Sequence, residues 1–515
     1  MVNVSSGWEA CYRQKLLPET FIEIEYGVTE PGVNAAATIT GTLEESFSTT
    51  GELANGLSKS PQTYGTLERN SWLLDGSRVG IANPPIDPGY TSSELSSEIA
   101  VFTVYPTITI TFPSVHTVLI PGITVTWSKA FQEYATKFEI TVYNSDSVIL
   151  SRLVENNTSI TSYVENDIQN YDKIVITILE WCQPGRRARI ESIFLGSLRI
   201  FTKSDLQAFE HTQTVDLLSA TLPKNSITFK LSNVDARWNP DSPAGDYKYL
   251  QEMQQLSVRY GMRVNGSIEY INGGTFWLTS WSTENTKLEA SFTARDGIVW
   301  MDDYYTGTRK GTLYAIATAA FEQADLDPLP DGTVRYFVDE VLKQISVDFS
   351  EDTNSYTISE ILQLVAHAGT CLFRQNAQGV LSISPIDSAI ADYKIDNFNS
   401  YDEPKITLSK PLKMVSVEYG NNTKQIPVSN RGVVQTVTSP LILTQALAKS
   451  VGEFTANMLA GRKTISGRYR ANPCLEAGDV IRVQNRFTTN HVCVTSIKYN
   501  TTGGGFTGKF EGRIV

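Results

Sequence analysis

Histidine and cysteine are scarce in this chain. Its 515 residues include 4 His and 5 Cys. The histidines, His116, His211, His367 and His491, lie far apart, and none sits in an HExxH or HxH arrangement. The ligand spacing of a zinc site is therefore missing. The cysteines, Cys11, Cys182, Cys371, Cys474 and Cys493, form no CxxC pair. So sparse and odd a set reads as free thiols in a reducing compartment, not as a disulfide framework. No stretch approaches 18 apolar residues, which excludes a transmembrane helix. The opening MVNVSSGWEACYRQKLL has no apolar core region, so no standard signal peptide is expected. Basic residues are in the minority: 43 Lys and Arg against 55 Asp and Glu give a net charge of −12. That balance argues against a nucleic-acid binder working through a basic surface.

Catalytic patterns are also missing. Gly503-Gly504-Gly505-Phe506-Thr507-Gly508-Lys509 satisfies GxxxxGK, but Phe510 follows where Ser or Thr should hold magnesium. A glycine-rich hairpin is the expected structure there. Asp325, Asp327 and Asp331-Gly332 have the spacing DxDxxxDG, without the further ligands of a calcium loop. Asp302-Asp303 stand beside Trp300, Tyr304 and Tyr305. Two adjacent carboxylates do not supply the separation across a glycosidic bond that hydrolysis requires. There is no GxSxG elbow. No catalytic residue, metal ligand or cofactor is assigned, and the chain is expected not to be an enzyme.

What is present is strand pattern. The chain has 23 Tyr against 6 Met, a balance that leans towards β structure. Residues 21–26 read FIEIEY, 108–112 ITITF, 123–127 ITVTW, 138–142 FEITV and 174–178 IVITI. Each alternates as a half-buried strand does. At about 100–200 residues per domain, the length predicts three or four domains. Residues 36–196 read as an antiparallel β-sandwich. Residues 197–300 form a second β-rich block, with alternating Ile227, Phe229 and Leu231. Residues 301–395 read as a small α/β domain. One helix is predicted over 311–325 from Leu313, Ile316, Ala317, Ala320, Phe321 and Ala324. Another begins at Thr357-Ile358-Ser359-Glu360, a capping box. Residues 396–515 return to β, with one helix predicted at about 440–460. The expected fold class is mainly β with a smaller α+β part.

Charge is uneven along the chain. Residues 301–404 hold 6 Lys/Arg and 17 Asp/Glu, a net −11, and residues 461–515 hold 9 and 3, a net +6. One reading is a solvated acidic face. The other is that opposite faces meet between copies, where complementary charge fixes register.

One stretch is recognisable. Residues 204–262 contain Leu222-Pro223-Lys224-Asn225-Ser226 and then Asn233-Val234-Asp235-Ala236-Arg237-Trp238-Asn239-Pro240. Val258-Arg259-Tyr260-Gly261, Gly274-Thr275-Phe276-Trp277-Leu278 and Thr293-Ala294-Arg295-Asp296 continue the run. This string resembles the tail hub, or baseplate hub, proteins of siphophages and prophages. Leu222, Pro223, Asn225, Asp235, Arg237, Trp238, Asn239 and Pro240 are then structural signature residues. Residues 61–196 resemble a galactose-binding-like jelly roll, through Tyr64–Gly76 (which includes Asp75 and Gly76) and through Arg187-Ala188-Arg189-Ile190. The resemblance implies two hub barrels, 1–35 plus 197–300 and 396–515, the first split by the inserted 36–196 domain. It implies a homotrimer that matches a hexameric tail tube, with DNA passing through an acidic or neutral channel. The implied partners are distal tail, tail tube, tape measure and tip or receptor-binding proteins. The implied location is the tail tip of a virion assembled in host cytoplasm. No stretch up to Val515 resembles the lytic domain of larger hubs, so cell-wall hydrolysis is the least expected function. An alternative is an adhesin binding host surface glycan through residues 36–196, with Tyr64, Trp72 and Tyr90 as stacking candidates. Against it, Trp72 also fits the sandwich core.

Overall fold

The computed structural model describes residues 2, 4–14, 17–28, 33, 36–53, 68, 89–129, 131–242, 246–284, 288–326, 334–386, 390–500 and 506–514. Tyr64, Trp72, Asp75 and Gly76 lie outside the described residues, as do Asp327, Asp331, Gly332 and Gly503–Gly505. The protein is mainly β, with few helices.

Thirteen strands form one sheet. In chain order they are β1 (Thr20–Val28), β2 (Ser197–Thr202), β3 (Leu206–Thr214), β4 (Lys224–Ser232), β5 (Gln255–Val264), β6 (Ser267–Glu284) and β7 (Glu289–Arg295). Then come β8 (Ile390–Ile395), β9 (Lys405–Leu408), β10 (Lys463–Arg470), β11 (Val480–Gln484), β12 (Thr489–Asn500) and β13 (Thr507–Ile514). The main path runs β2-β1-β5-β6-β7-β4-β3-β12-β13-β10-β9, while β11 joins β12 and carries β8. Period-two burial explains the pleat. Ile22, Ile24 and Tyr26 of β1 point inward, as do Ile227, Phe229 and Leu231 of β4. Val28 stands opposite Ser197, so the chain leaves the sheet and returns to it at one place, with the segment between folded outside it.

The strands expected to form two barrels are therefore fused. Strand β3 of the first pairs antiparallel with β12 of the second, from Glu210↔Asn500 to Thr214↔Ser496. One hydrophobic core runs through both, from Ile24, Phe229 and Tyr260 to Ile465, Tyr469 and Phe510. A short N-terminal helix, α1 (Ser6–Tyr12), wedges against this joint. Its Ser5 Oγ caps the helix by accepting from Trp8 N. Trp8 and Cys11 are buried, and the Tyr12 hydroxyl donates to Ala471 O at 2.7 Å.

The 36–196 segment is a β-sandwich. A five-stranded sheet has the order Thr38–Gly41, Thr107–His116, Tyr171–Trp181, Ala135–Asn144, Ser147–Val154. Shorter sheets complete it: Ser192–Phe194 with Ile120–Thr126 and Thr161–Ile168, and Tyr90–Leu95 with Arg187–Ile190. Its core is separate, built on Trp127, Phe138, Ile140, Ile176 and Trp181.

The third core corrects the expected boundary at 396. Helices α2 (Leu313–Ala324) and α3 (Ile358–Ala368) form where their apolar periods place them, α3 with its Thr357/Glu360 capping box complete. They share one core with a three-stranded sheet at 412–437 and with α4 (Gln445–Ala460). Residues 412–460 thus leave the second barrel. The buried stripe of Leu447, Val451 and Thr455 on α4 needs an apolar sheet face, and Val415 and Val417 belong to the core it joins.

Candidate functional surface

Every inward residue of the fused sheet has an outward neighbour. On β3 the outward row is Glu210, Thr212 and Thr214; on β4 it is Ser226, Thr228 and Lys230; on β7 it is Glu289, Ser291 and Thr293. Register continues this row across the seam, with Thr212 opposite Lys498 and Thr214 opposite Ser496. The face is rich in hydroxyls, and its charges are matched in place. Lys498 lies 2.6 Å from Glu210 and bridges β12 to β3, while Lys230 lies 2.8 Å from Glu289. Such half-exposed pairs add little stability, but they leave a polar surface of low net charge.

Behind this face lies a buried polar group. His211 Nδ1 is 2.7 Å from the Tyr260 hydroxyl, and Nε2 is 2.8 Å from Asn225 Oδ1. The carboxamide oxygen accepts, so Nε2 carries the proton and Nδ1 accepts from Tyr260. Burial lowers the imidazole pKa from 6.5 to about 4, against the Asn225 hydrogen bond, which raises it. Asp296 follows β7, its N–H bonded to Asn225 O at 3.0 Å. Its Oδ2 is buried and has no hydrogen-bond partner among the described residues. Burial pushes this carboxyl up to about 7, and the Arg295 charge offsets that only in part. The inward alternation of Phe209, His211 and Gln213 is the one sign in the sequence that His211 is a core residue.

The signature residues are mostly structural in place. Trp238 is buried against Phe292, with ring centres 5.2 Å apart, and its N–H donates to Asn233 Oδ1. Asp235 accepts from Arg237 N and pairs with its side chain at 3.4 Å. Asn239 Oδ1 accepts from Asp241 N, closing the turn before exposed Pro240 ends. Pro223 and Asn225 are buried and Leu222 is exposed. Trp238→Ala is expected to cost about 3–5 kcal/mol through the cavity it leaves. Urea unfolding measures this, and a loss under about 1 kcal/mol would show that the site closes up.

Of the three stacking candidates, Tyr90 is the one among the described residues. Tyr90 is fully buried and its hydroxyl donates to Thr42 O at 2.8 Å. Its ring offers no face to a sugar, which corrects the stacking expectation for this residue. Arg189 is buried against Glu68 at 2.5 Å, and Arg186 against Glu133 at 2.7 Å. Both guanidinium groups lie over the Phe131 ring, and Trp181 Nε1 donates to Glu133. Arg187 instead holds the strand edge, through Ser92 O, Ser93 O and Glu45. Glu68 stands within the Tyr64–Gly76 stretch with no local sign that it is an ion-pair partner, and Glu133 lies in no motif.

Three cysteines, Cys371, Cys474 and Cys493, are buried with thiols pushed up to about 12 by that burial, a setting that keeps thiols unreactive. Among the described residues, no group of three or more His, Cys, Asp or Glu is placed to hold a metal ion. No described helix is long and apolar enough to cross a membrane.

The arrangement defines a mainly-β protein with one thirteen-stranded sheet, a β-sandwich between Val28 and Ser197, and an α/β unit. No family model matches this chain, and no curated protein does. Solved structures similar to it are phage tail proteins and secretion-system components. The 43 kDa tail protein of prophage MuSo2 from Shewanella oneidensis is 13% identical; the match covers 61% of this chain and 94% of that one, with a TM-score of 0.43. A tail protein from Neisseria meningitidis MC58 is 11% identical over 62% and 94%, with a TM-score of 0.44. The E. coli c3393 protein, a type VI secretion component described as similar to T4 tail proteins gp27 and gp5, is 11% identical over 60% and 74%, with a TM-score of 0.36.

Proposed function

We propose that this protein is a structural hub of a phage tail. Three copies form a ring that joins a hexameric tail tube to the tip, and DNA passes through it. The observation that supports this reading is the thirteen-stranded sheet, in which the strands expected of both hub barrels pair within one chain. Two barrels per chain let threefold symmetry present six similar units to a sixfold tube. The hub-like string at 204–262 supports the reading from the sequence side. The outward face of β3, β4, β7 and β12 suits a conduit wall. Hydroxyl rows with locally matched charges give a passing polyanion neither a cationic trap nor an apolar contact. Distal tail, tube, tape measure and tip proteins are the partners this role requires.

Mass measurement of the purified chain, with electron microscopy, tests the proposal. The expected result is a threefold ring whose central hole admits a DNA duplex. A chain that stays monomeric at high concentration, alone and with tail tube protein, would sink it.

A further inference from the structure

We propose that Asp216 is the keystone of a strap holding the α/β unit on the thirteen-stranded sheet, and that the unit leaves the sheet as one body when the strap lets go. The two have separate apolar cores. Where they meet there is only a small apolar cluster, built on Leu217, Leu372, Val480 and Cys493. Across the joint, side chains of one partner grip the main chain of the other. From α3, Gln363 Nε2 donates to Ala220 O at 2.6 Å and His367 Nδ1 to Leu218 O at 2.6 Å. A carbonyl oxygen only accepts, so Nδ1 carries the proton. Ser219 Oγ donates to Cys371 O at 2.8 Å. Further along, Gln375 accepts from Gly297 N at 2.9 Å and donates to Thr275 O at 3.1 Å. Glu476 Oε1 accepts from Ala377 N at 2.7 Å, and Arg374 Nη1 donates to Ala477 O at 2.7 Å. Units that meet through hydrogen bonds and little apolar area move relative to one another by default.

The strap is residues 216–221, between β3 and the Leu222-Pro223 step into β4. One carboxylate gives it its shape. Asp216 accepts from Leu218 N at 3.0 Å and from Ala220 N and Thr221 N at 3.1 Å each. These bonds close the loop around Ser219, which is held at φ +48°, a left-handed conformation that side-chain-bearing residues seldom adopt unaided. The closed loop leaves Leu218 O and Ala220 O where His367 and Gln363 reach them. Asp216 also acts electrostatically on Arg513 of β13, whose Nη1 donates to Met458 O of α4 at 2.9 Å. One half-buried side chain therefore orders the grip on two helices of the unit, α3 and α4. Removing it frees the left-handed turn and loosens both grips together, whereas removing Gln363 takes away one hydrogen bond. The segments inside the unit keep their own core in either case, so what opens is the joint.

Hydrogen exchange of the full chain, read peptide by peptide by mass spectrometry, tests the proposal. Peptides holding Gly297 and Ala377 report the joint, since side chains across it hold their N–H groups. Neither residue bonds to Asp216. Peptides from β4 and from the middle of α3 report the two cores. Asp216→Ala is expected to speed exchange at both joint peptides by about tenfold or more, and by the same factor, with the core peptides changed less than about twofold. Gln363→Ala should give the same pattern at smaller amplitude. Faster exchange confined to 216–221 would show a loop that serves only itself, and would overturn the proposal. Equal acceleration through α3 and the joint would mean that the unit melts instead of detaching, which overturns it as well. Should Asp216→Ala fail to fold, Gln363→Ala decides, and unchanged exchange at Gly297 and Ala377 counts against the strap.

Discussion

Asp296→Asn should stabilise this protein at pH 8 and not at pH 4. The carboxyl is buried, its Oδ2 lacks a partner, and its pKa stands at about 7 against an ordinary 3.8. The folded state therefore holds a proton that the unfolded state has lost between these values. Stability is undiminished below pH 3.8 and falls as pH rises towards 7. At about 1.4 kcal/mol per pKa unit, the amide should gain roughly 2–4 kcal/mol above pH 7. His211 acts in the opposite direction. Its folded pKa of about 4 lies below 6.5, so stability is lost as pH falls from 6.5 through 4, by about 3 kcal/mol. In the native chain the two slopes oppose each other between about pH 4 and 6.5. In Asp296→Asn the acid limb of His211 stands alone, and stability should drop steeply below pH 6.5. Urea unfolding at a series of pH values reads both effects. An equal gain at pH 4 and pH 8 would show that the charge of Asp296 is not the cause.

Arg189→Met should be the most damaging single change in the sandwich. The pair with Glu68 is buried on both sides, at 1% and 0% exposure. Removing the cation leaves a carboxylate in the interior that also holds Arg187 N at 2.8 Å. Breaking a buried pair from one side costs about 3–5 kcal/mol. Adding Glu68→Gln should return much of that loss, since the uncompensated charge is the source of the cost. The pH dependence should change as well. Burial pushes the Glu68 carboxyl up, but the Arg189 hydrogen bond and charge outweigh it and hold the group below 4.5. In the native chain this stability is present above pH 4.5 and is lost as pH falls. Without Arg189 only the Arg187 N–H and the Arg186 charge oppose burial, so the folded pKa rises and the acid-side loss of stability shrinks. A double-mutant cycle at two pH values checks the prediction. Additive losses would mean that the two groups do not act as a pair.

Much of the local structure was legible in the residues. FIEIEY alternates and becomes β1, and Thr357 with Glu360 caps α3. The apolar period at 313–324 becomes α2. Each signal is local, because a strand repeats every 2 residues and a helix every 3.6. The candidate surface was legible only in part. Alternation says that Thr212 and Thr228 face away from the core, but not what lies beside them.

Partnering was decided by the tertiary structure. Strands β3 and β12 pair through Glu210 and Asn500, 290 positions apart, 500 − 210. Glu68 meets Arg189 across 121 positions. Residues 412–460 leave the barrel because the stripe on α4 fits the core of α2 and α3. Period and capping are set by neighbours along the chain, whereas strand partners and buried charges are set by which distant surfaces fill the same volume. By itself, then, the sequence determined a mainly-β chain with few histidines and cysteines, its strands and helices, and an excess of acid. Only the packed structure decided that strands from both ends of the chain share one sheet, and which buried charges meet inside the sandwich.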